Sequence, residues 1–465
     1  MSAPFFIFVI TGIVALLVLP VRGRTRLAAG ISAVGAVLIA GFTLGATLEE
    51  PFVLLGLPIK LANTWRVLGR ALVLDEGNRA AVAFLYFVGA FVFGGGWISR
   101  PSRAFYFVGL ASLSVVAASF MIRPFLFAAI FLELAAMGAV LLLVSRDSPA
   151  RSGGLRLLIL YSLAMLAILI TGWILESVGV TTATPDLAYR ATLLLALGFS
   201  ILMAVPPFHF WLPTAAGESN PYALAFVTII LQSAGLFFML RFLDTYAWLR
   251  ESEILFVGIR FAATAMVCLG SLWALAQRSI SKLMAYALLT DFGVMLLAVG
   301  TNKPEGFLLA LGLTSVRAVS VTVLGIGLTA LNRNEPDQDE GQYRGAAYRA
   351  PFAVAAVLVG LLSLAGFPLT AGFPGRWAFI ATLTPVDPLA SASILLALLS
   401  LGGMALRWAG IFFSAQQSEA PGSRSRLENL FIASGVLVCV LLGIFPQLLY
   451  PWVVQAAAGM SQLLP

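Results

Sequence analysis

The chain of 465 residues is 60% hydrophobic and only 11% charged, where a soluble domain carries about 25% charged residues. So little charge cannot cover a water-facing surface, and the net charge of +7 is spread through loops instead of gathering on one soluble face, which excludes a nucleic-acid patch. The two cysteines, Cys268 and Cys439, both lie inside apolar runs, so neither a disulfide framework nor a metal-ligand cluster is indicated.

Apolar runs of about 20 residues, each enough to cross a hydrocarbon core of roughly 30 Å as helix, recur along the chain. They predict an all-α, polytopic membrane protein of about 14 transmembrane helices. In order these cover 4–21, 26–47, 79–98, 104–121, 124–145, 155–176, 188–210, 222–243, 257–276, 282–300, 305–331, 351–381, 388–413 and 428–453. The first run has no basic n-region and no small-residue cleavage site, and reads as a retained helix. Two stretches do not fit a span. Residues 49–78 read as a mixed-charge loop with room for a short surface helix, and 332–350, with its NRNEPDQDEGQYR run, as a solvated connection.

The positive-inside rule orients this count. With the N-terminus outside, the inward loops carry Arg22, Arg24 and Arg26; Arg100 and Arg103; Arg146 and Arg151; Arg278; and Arg424 and Arg426. Outward loops are short or mixed, as with Lys60 beside Glu49 and Glu50, or Arg250 beside Glu251 and Glu253. An even number of spans then puts both termini outside. The acidic loop at 332–350 falls inside and fits poorly, although acidic residues count little in this rule.

Ionisable residues inside such spans are the candidates for function. Glu133 stands in FLFAAIFLELAAMGAVLLLV, about nine residues from either end of the run. A carboxylate at that depth costs a few kcal/mol unless it is neutralised or paired. It is either an acid that takes up and releases a proton or a static salt-bridge member that glues helices. Two spans are then broken at mid-membrane. One reads Val205-Pro206-Pro207-Phe208-His209-Phe210-Trp211-Leu212-Pro213, the other Ala365-Gly366-Phe367-Pro368-Leu369-Thr370-Ala371-Gly372-Phe373-Pro374-Gly375-Arg376. Proline removes a backbone donor and clashes with the preceding turn. The freed backbone groups survive at that depth only when buried in protein or lining a wet cavity, and paired broken helices in the two halves of a chain point to an ion site.

His209, the only histidine, falls at the first break, where a proton relay and a structural hydrogen-bonder weigh equally. Lys282 opens the tenth span and can snorkel to the interface. Asp291 lies deeper in that span, and Arg317 and Arg376, in the eleventh and twelfth, are natural partners for buried carboxylates. Glu176, Arg241 and Arg407 lie nearer span ends or lack an obvious partner, and read as structural.

Three blocks, PPFHFWLPTAAGESNPYALAF, ALAQRSISKLMAYALLTDFGVMLLAVG and LAGFPLTAGFPGRW, resemble in order the PFHxWLPDA, ALxQxDIKRLLAYS and LAGIPPTAGFFGKF stretches of the proton-translocating antiporter-like family. That family comprises the large membrane-arm subunits of NADH:quinone oxidoreductase and the related Mrp-type antiporter subunits. The resemblance implies two inverted five-helix repeats, with helices 7 and 12 broken, joined by a polar axis through the membrane centre. It divides the chain into N-terminal helices 1–3 (1–103), a first antiporter-like half (104–243), a second half (257–413) and a C-terminal helix (414–465). Carried across residue by residue, it implies an ion path of Glu133, His209, Lys282, Asp291, Arg317 and Arg376. Glu133 falls on the fifth-helix glutamate that pairs with a lysine, His209 on the PFH histidine, Lys282 on the basic residue before LLAYS, Arg317 on an eleventh-helix lysine, and Arg376 on the twelfth-helix lysine or glutamate.

The sequence also departs from the family pattern. Leu202 stands at the seventh-helix lysine, Ser233 at the eighth-helix lysine that precedes Arg241, and Leu313 at the eleventh-helix histidine. Arginine does not release its proton at accessible pH, so Arg317 and Arg376 supply fixed charge and do not carry protons. The resemblance therefore implies a membrane subunit of a complex I–like NADH:quinone oxidoreductase that contributes to proton translocation, set in the inner (cytoplasmic) membrane. Its partners would be other membrane-arm and redox subunits, lipid, and protons or Na+, with no nucleic acid. No cysteine cluster or Gly-rich nucleotide loop offers an iron–sulfur, flavin or nicotinamide site, so no cofactor and no redox chemistry of its own are expected. The substitutions keep open a non-pumping structural or coupling subunit, and the shared fold keeps open an Mrp-type antiporter or inorganic-carbon-uptake subunit. The end near Pro465, soon after the fourteenth span, resembles the two smaller antiporter-like subunits more than the largest.

Overall fold

In the computed structural model, residues 2–46, 51–54, 57–67, 69–144, 152–178, 185–332, 340–414 and 425–464 are described, with 51–54, 57–60, 176–178 and 185 in backbone only. The expectations for Glu49, Glu50, Arg146, Arg151, Arg424 and the run 333–339, and for the side chains of Lys60 and Glu176, lie outside the described residues.

Helices dominate, because long apolar runs satisfy every backbone group internally. In chain order they are α1 (Ala3–Val21), α2 (Thr25–Gly45), α3 (Glu76–Ser99), α4 (Phe105–Met121), α5 (Ala128–Leu143), α6 (Ser152–Val178), α7 (Pro185–Leu202), α8 (Trp211–Glu218), α9 (Pro221–Thr245) and α10 (Ala247–Arg250). There follow α11 (Glu253–Leu275), α12 (Ile280–Gly300), α13 (Pro304–Leu331), α14 (Ala346–Arg349), α15 (Pro351–Ala365), α16 (Phe373–Leu383), α17 (Pro388–Phe412), α18 (Arg426–Ile444) and α19 (Tyr450–Ala457). Among the described residues, eleven helices are long and apolar enough to cross a membrane, and α4 and α15 are shorter apolar helices.

Three expected spans are cut short. The 188–210 span ends at Leu202 and resumes as α8; 351–381 divides into α15 and α16; 428–453 divides into α18 and α19. For the first, the cause is Pro206, whose ring would clash with the carbonyl four residues back, that of Leu202. The stretch at 49–78 holds no surface helix among its described residues. It forms two hairpins, β1 (Pro51–Leu54) with β2 (Leu57–Lys60), and β3 (Thr64–Val67) with β4 (Arg70–Val73). Strand β4 pairs in turn with β5 (Ile122–Arg123), between α4 and α5. The connection after α13 is also less solvated than its composition implies. Tyr343 is buried and donates a hydrogen bond to Asn332, and Ala346 and Ala347 of α14 are buried.

Helix starts follow from capping chemistry. Asp75 and Asn78 form a reciprocal capping box at α3, Ser279 accepts from Lys282 N at α12, and Asp387 accepts from Ala390 N at α17; each satisfies an otherwise orphaned amide. Asn220, ahead of Pro221 at the first position of α9, accepts from Tyr222 N at 2.8 Å. Its amide also accepts from Thr329 near the end of α13 (3.3 Å) and donates to the carbonyl of Ser99 at the end of α3 (3.4 Å). Three helices thus meet on one side chain.

The centre of the bundle is α9 and α12, whose apolar windows are each 94% buried, against 22% for α18 and 33% for α1 and α11. Helix α13 packs against α9, α12 and α15, so the seam between the earlier and later helices runs through α9, α12 and α13. A helix buried on all faces has no surface on which to solvate a polar group, so any polar side chain there needs a partner inside the protein.

Candidate functional site

At the first break the chain leaves α7 at Leu202, passes Ala204 in a left-handed conformation (φ 57°), and re-forms a short 3-10 turn at Phe208–Phe210 before α8. The Leu202 carbonyl, released from its helix, accepts from the Tyr161 hydroxyl of α6 at 3.2 Å. His209 sits on the 3-10 turn with its Nδ1 buried and unpartnered. Beside the break lies a cavity of about 280 Å³ whose wall, including Phe199, Met203, Val205, Phe242 and Leu296, is almost wholly apolar. Water needs two to four polar partners to settle in such a space, so this cavity is no polar path. Glu133, half-buried on α5, accepts from Ser162 Oγ of α6 at 2.7 Å. No ion pair involves it among the described residues. Lys282, in the first turn of α12, extends its chain over Gly217 of α8, its Cε 3.3 Å from where a Cβ on that glycine would stand. The neighbouring Glu218 reaches the other way and accepts from Gly153 N (2.9 Å) and Ser152 Oγ at the start of α6.

The second break is built around charge. Asp291 lies near the midpoint of α12, and its two carboxylate oxygens each take one guanidinium, Oδ2 from Arg317 of α13 and Oδ1 from Arg376 of α16. All three side chains are within 3% of full burial. Arg317 also donates to the Leu288 carbonyl (3.1 Å) and to Gln232 Oε1 of α9, and its guanidinium lies 5.4 Å from the centroid of the Phe292 ring. Arg376 Nη1 donates to the carbonyls of Ser363 (3.2 Å) and Gly372 (3.0 Å), both in the segment where α15 gives way to α16. The cation that binds the acid thus also bonds the backbone on both sides of the break, at the Ser363 carbonyl, which accepts from Gly366 N as well (3.1 Å), and at the Gly372 carbonyl that opens α16. Ser363 adds two further bonds, its hydroxyl accepting from Gly372 N at 3.1 Å and donating to Ser320 Oγ at 2.7 Å, whose own proton goes to the Val316 carbonyl.

Glycine is required at two points of this turn. Gly366 has φ +83°, and a Cβ there would stand 2.5 Å from Arg376 Cδ. At Gly372 a Cβ would stand 1.9 Å from the Ser363 carbonyl and 2.3 Å from Arg376 Nη1. The side chain of Arg376 passes through the gap that the two glycines leave.

Of the six residues expected from the sequence, Asp291, Arg317 and Arg376 come together in one cluster. No hydrogen bond or ion pair joins Glu133, His209 or Lys282 to one another or to that cluster among the described residues. Arg407, read as structural, forms an ion pair with Glu340. Gln232 was missed; it is the one amide in the apolar run IILQSAGL, and an amide on a helix buried on all faces is a signal that something polar waits opposite. Ser162 and Ser363 carry no comparable signal, since a serine inside a helix can return its own bond to the preceding turn.

Residues 124–401, more than half of the chain, match the family described as NADH:quinone oxidoreductase/Mrp antiporter, transmembrane. The NADH-quinone oxidoreductase subunit 13 of Thermus thermophilus is 28% identical over 368 residues, covering 76% of this chain and 78% of that relative. Subunit N of Geotalea uraniireducens is 27% identical over 259 residues, a match that spans 54% of each chain. In fold, the chain superposes on a chain of respiratory complex I from Thermus thermophilus with TM-score 0.78 at 23% identity, covering 98% of this chain and all of that one. A chain of the Mrp complex from Dietzia sp. DQ12-45-1b gives 0.77 at 18% identity, with 100% and 99% covered. With a membrane bundle of the same shape and the family pattern matched across both breaks, the chain belongs to the NADH:quinone oxidoreductase/Mrp antiporter transmembrane family.

Proposed function

We propose that the chain is a membrane subunit of a complex I–like NADH:quinone oxidoreductase and contributes to proton translocation across the inner (cytoplasmic) membrane, with both termini outside. In this reading the bundle has fourteen spans. Helices α7 with α8 and α15 with α16 are its broken spans 7 and 12, and residues 104–243 and 257–413 form two inverted halves. The observation that carries it is the buried charge cluster wrapped by the second helix break, since charge is kept inside a membrane bundle at a cost and persists where it serves an ion path. Glu133 is the acid of the path in the first half, with His209 at the helix break and Lys282 in the first turn of α12. The Asp291 cluster supplies a fixed field in the second half. Neighbouring redox subunits would provide the driving conformational work, and neither an electron carrier nor quinone chemistry is assigned to this chain.

The test is Glu133→Gln in the assembled complex reconstituted into vesicles. Proton flux should fall while assembly and electron transfer to quinone persist. Unchanged flux in a fully assembled complex overturns the relay.

A second reading, a coupling subunit that does not itself pump, is favoured by one observation. Leucine, serine and leucine stand at 202, 233 and 313, and both cations of the cluster are arginines, which hold a proton permanently. Under that reading Glu133→Gln leaves flux intact, whereas disruption of the Asp291 cluster impairs assembly.

A further inference from the structure

The corner formed by α1 to α4 has acids at one end only. Residues 1–48 and 77–132 contain no aspartate or glutamate. Where α3 begins, Asp75 and Glu76 supply partners, and Arg123 and Arg79 pair with them at 2.6 and 2.8 Å. At the other end, the α1–α2 turn and the start of α2 present Arg22, Arg24 and Arg26, and the α3–α4 turn presents Arg100 and Arg103. All five are exposed, and among the described residues none of them forms an ion pair.

The two turns lie side by side. Helix α2 packs on α3 and α1 on α4, and the Arg26 guanidinium lies 5.1 Å from the centroid of the Trp97 ring, in the last turn of α3. Both turns are closed by the backbone, Arg24 N donating to the Val21 carbonyl at 2.7 Å and Phe105 N to that of Ser102 at 2.9 Å. The arginines therefore start from fixed backbone, which lowers the ordering cost of gathering them on one ligand. Charges of one sign held so close repel one another and favour a shared anion.

What lies beside the charge sets the chemistry of that anion. Leu16 and Leu17 near the end of α1, and Leu27 in the first turn of α2, are exposed, on helices long and apolar enough to cross the membrane. Cationic and apolar surface thus adjoin where a helix leaves the hydrocarbon. A soluble acidic partner would use the charge and leave the leucines bare; an amphipathic anion uses both. The planar fork of arginine also suits phosphate oxygens.

We infer that this corner of α1 to α4 binds an anionic phospholipid, its phosphodiester held by arginines of both turns and its chains laid along the exposed leucines. Clusters of about four to eight basic residues beside a membrane helix attract such headgroups. Only the leaflet, the inner one, rests on the topology proposed above. The site itself is independent of which ion the subunit moves.

Full-length chain in detergent, titrated with phosphatidylglycerol, should gain thermal stability that phosphatidylcholine with the same chains does not give. Inorganic phosphate at equal concentration should not give it either, since it has no chains to lay on the leucines. Arg22→Gln with Arg24→Gln, and Arg100→Gln with Arg103→Gln, should each move the phosphatidylglycerol response to roughly 25-fold higher concentration, about fivefold for each arginine. All four are exposed side chains, whose loss a fold tolerates. Arg190→Gln, beside Asp186 at the start of α7, should leave the response unchanged. Equal gains from both lipids, the same gain from inorganic phosphate, or a phosphatidylglycerol response untouched by both pairs of substitutions overturns the assignment.

Discussion

Replacing Asp291 by asparagine removes the acid from a site where two buried guanidiniums depend on it. Breaking a buried ion pair from one side typically costs about 3–5 kcal/mol, because the remaining charge stays desolvated. Both arginines lose their acid at once, so about 3–5 kcal/mol is the floor, and twice that the ceiling if the two contacts were independent. They share one carboxylate, and contacting residues do not add, so the loss should fall between. Arg376→Met is the control. It leaves Asp291 and Arg317 as a neutral pair, and its main penalty is the loss of one donor each to the Ser363 and Gly372 carbonyls, about 1–3 kcal/mol in all because both carbonyls keep a backbone donor. Relief of the excess charge offsets part of that. The expected order is therefore Asp291→Asn well below Arg376→Met, with the double variant more stable than Asp291→Asn alone. Melting of detergent-solubilised protein, followed by the monodisperse fraction recovered after heating, gives the order directly. If Arg376→Met is as damaging as Asp291→Asn, or the double variant shows no recovery, the charge reasoning fails.

Gly372→Ala forces a methyl against the Ser363 carbonyl and Arg376, and overpacking of this kind costs about 1–3 kcal/mol; the same melting assay should show it, and Arg376→Met in the same chain should relieve part of it. Asn220→Ala removes the cap of α9 and should cost about 0.5–2 kcal/mol, with faster amide hydrogen exchange in the first turn of α9 as its local signature. Glu218→Ala leaves the Gly153 amide without its acceptor and should cost about 1 kcal/mol, with faster exchange confined to the start of α6.

The membrane bundle was legible in the sequence because apolar runs of spanning length have one stable outcome in lipid. Both breaks were legible because proline and glycine act locally. The pairing of Asp291 with Arg317 and Arg376 could be anticipated since charged side chains on deeply apolar helices find partners inside the protein. Less was readable where short segments rely on pairing. The hairpins at 51–60 and 64–73 have four-residue strands, too short for alternation to stand out, and β4 is fixed by β5, some fifty residues away. The stop at Leu202 instead of 210 was also missed. It depends on a clash four residues before Pro206, and a hydropathy run continues past it unchanged. Which residues surround Glu133 was not readable at all, since the position of Ser162 depends on how α5 and α6 rotate against each other.

The single side chain of Asn220 ties the last turn of α3, the first of α9 and the last of α13 at one end of the bundle. Helices held at one end by a common knot can fan apart only at the other. The opposite end of α9 is fastened separately, Arg241 donating to the Gly459 carbonyl and Asp244 accepting from the amides of Gln462 and Leu463, so splaying at that face has first to release the C-terminal segment.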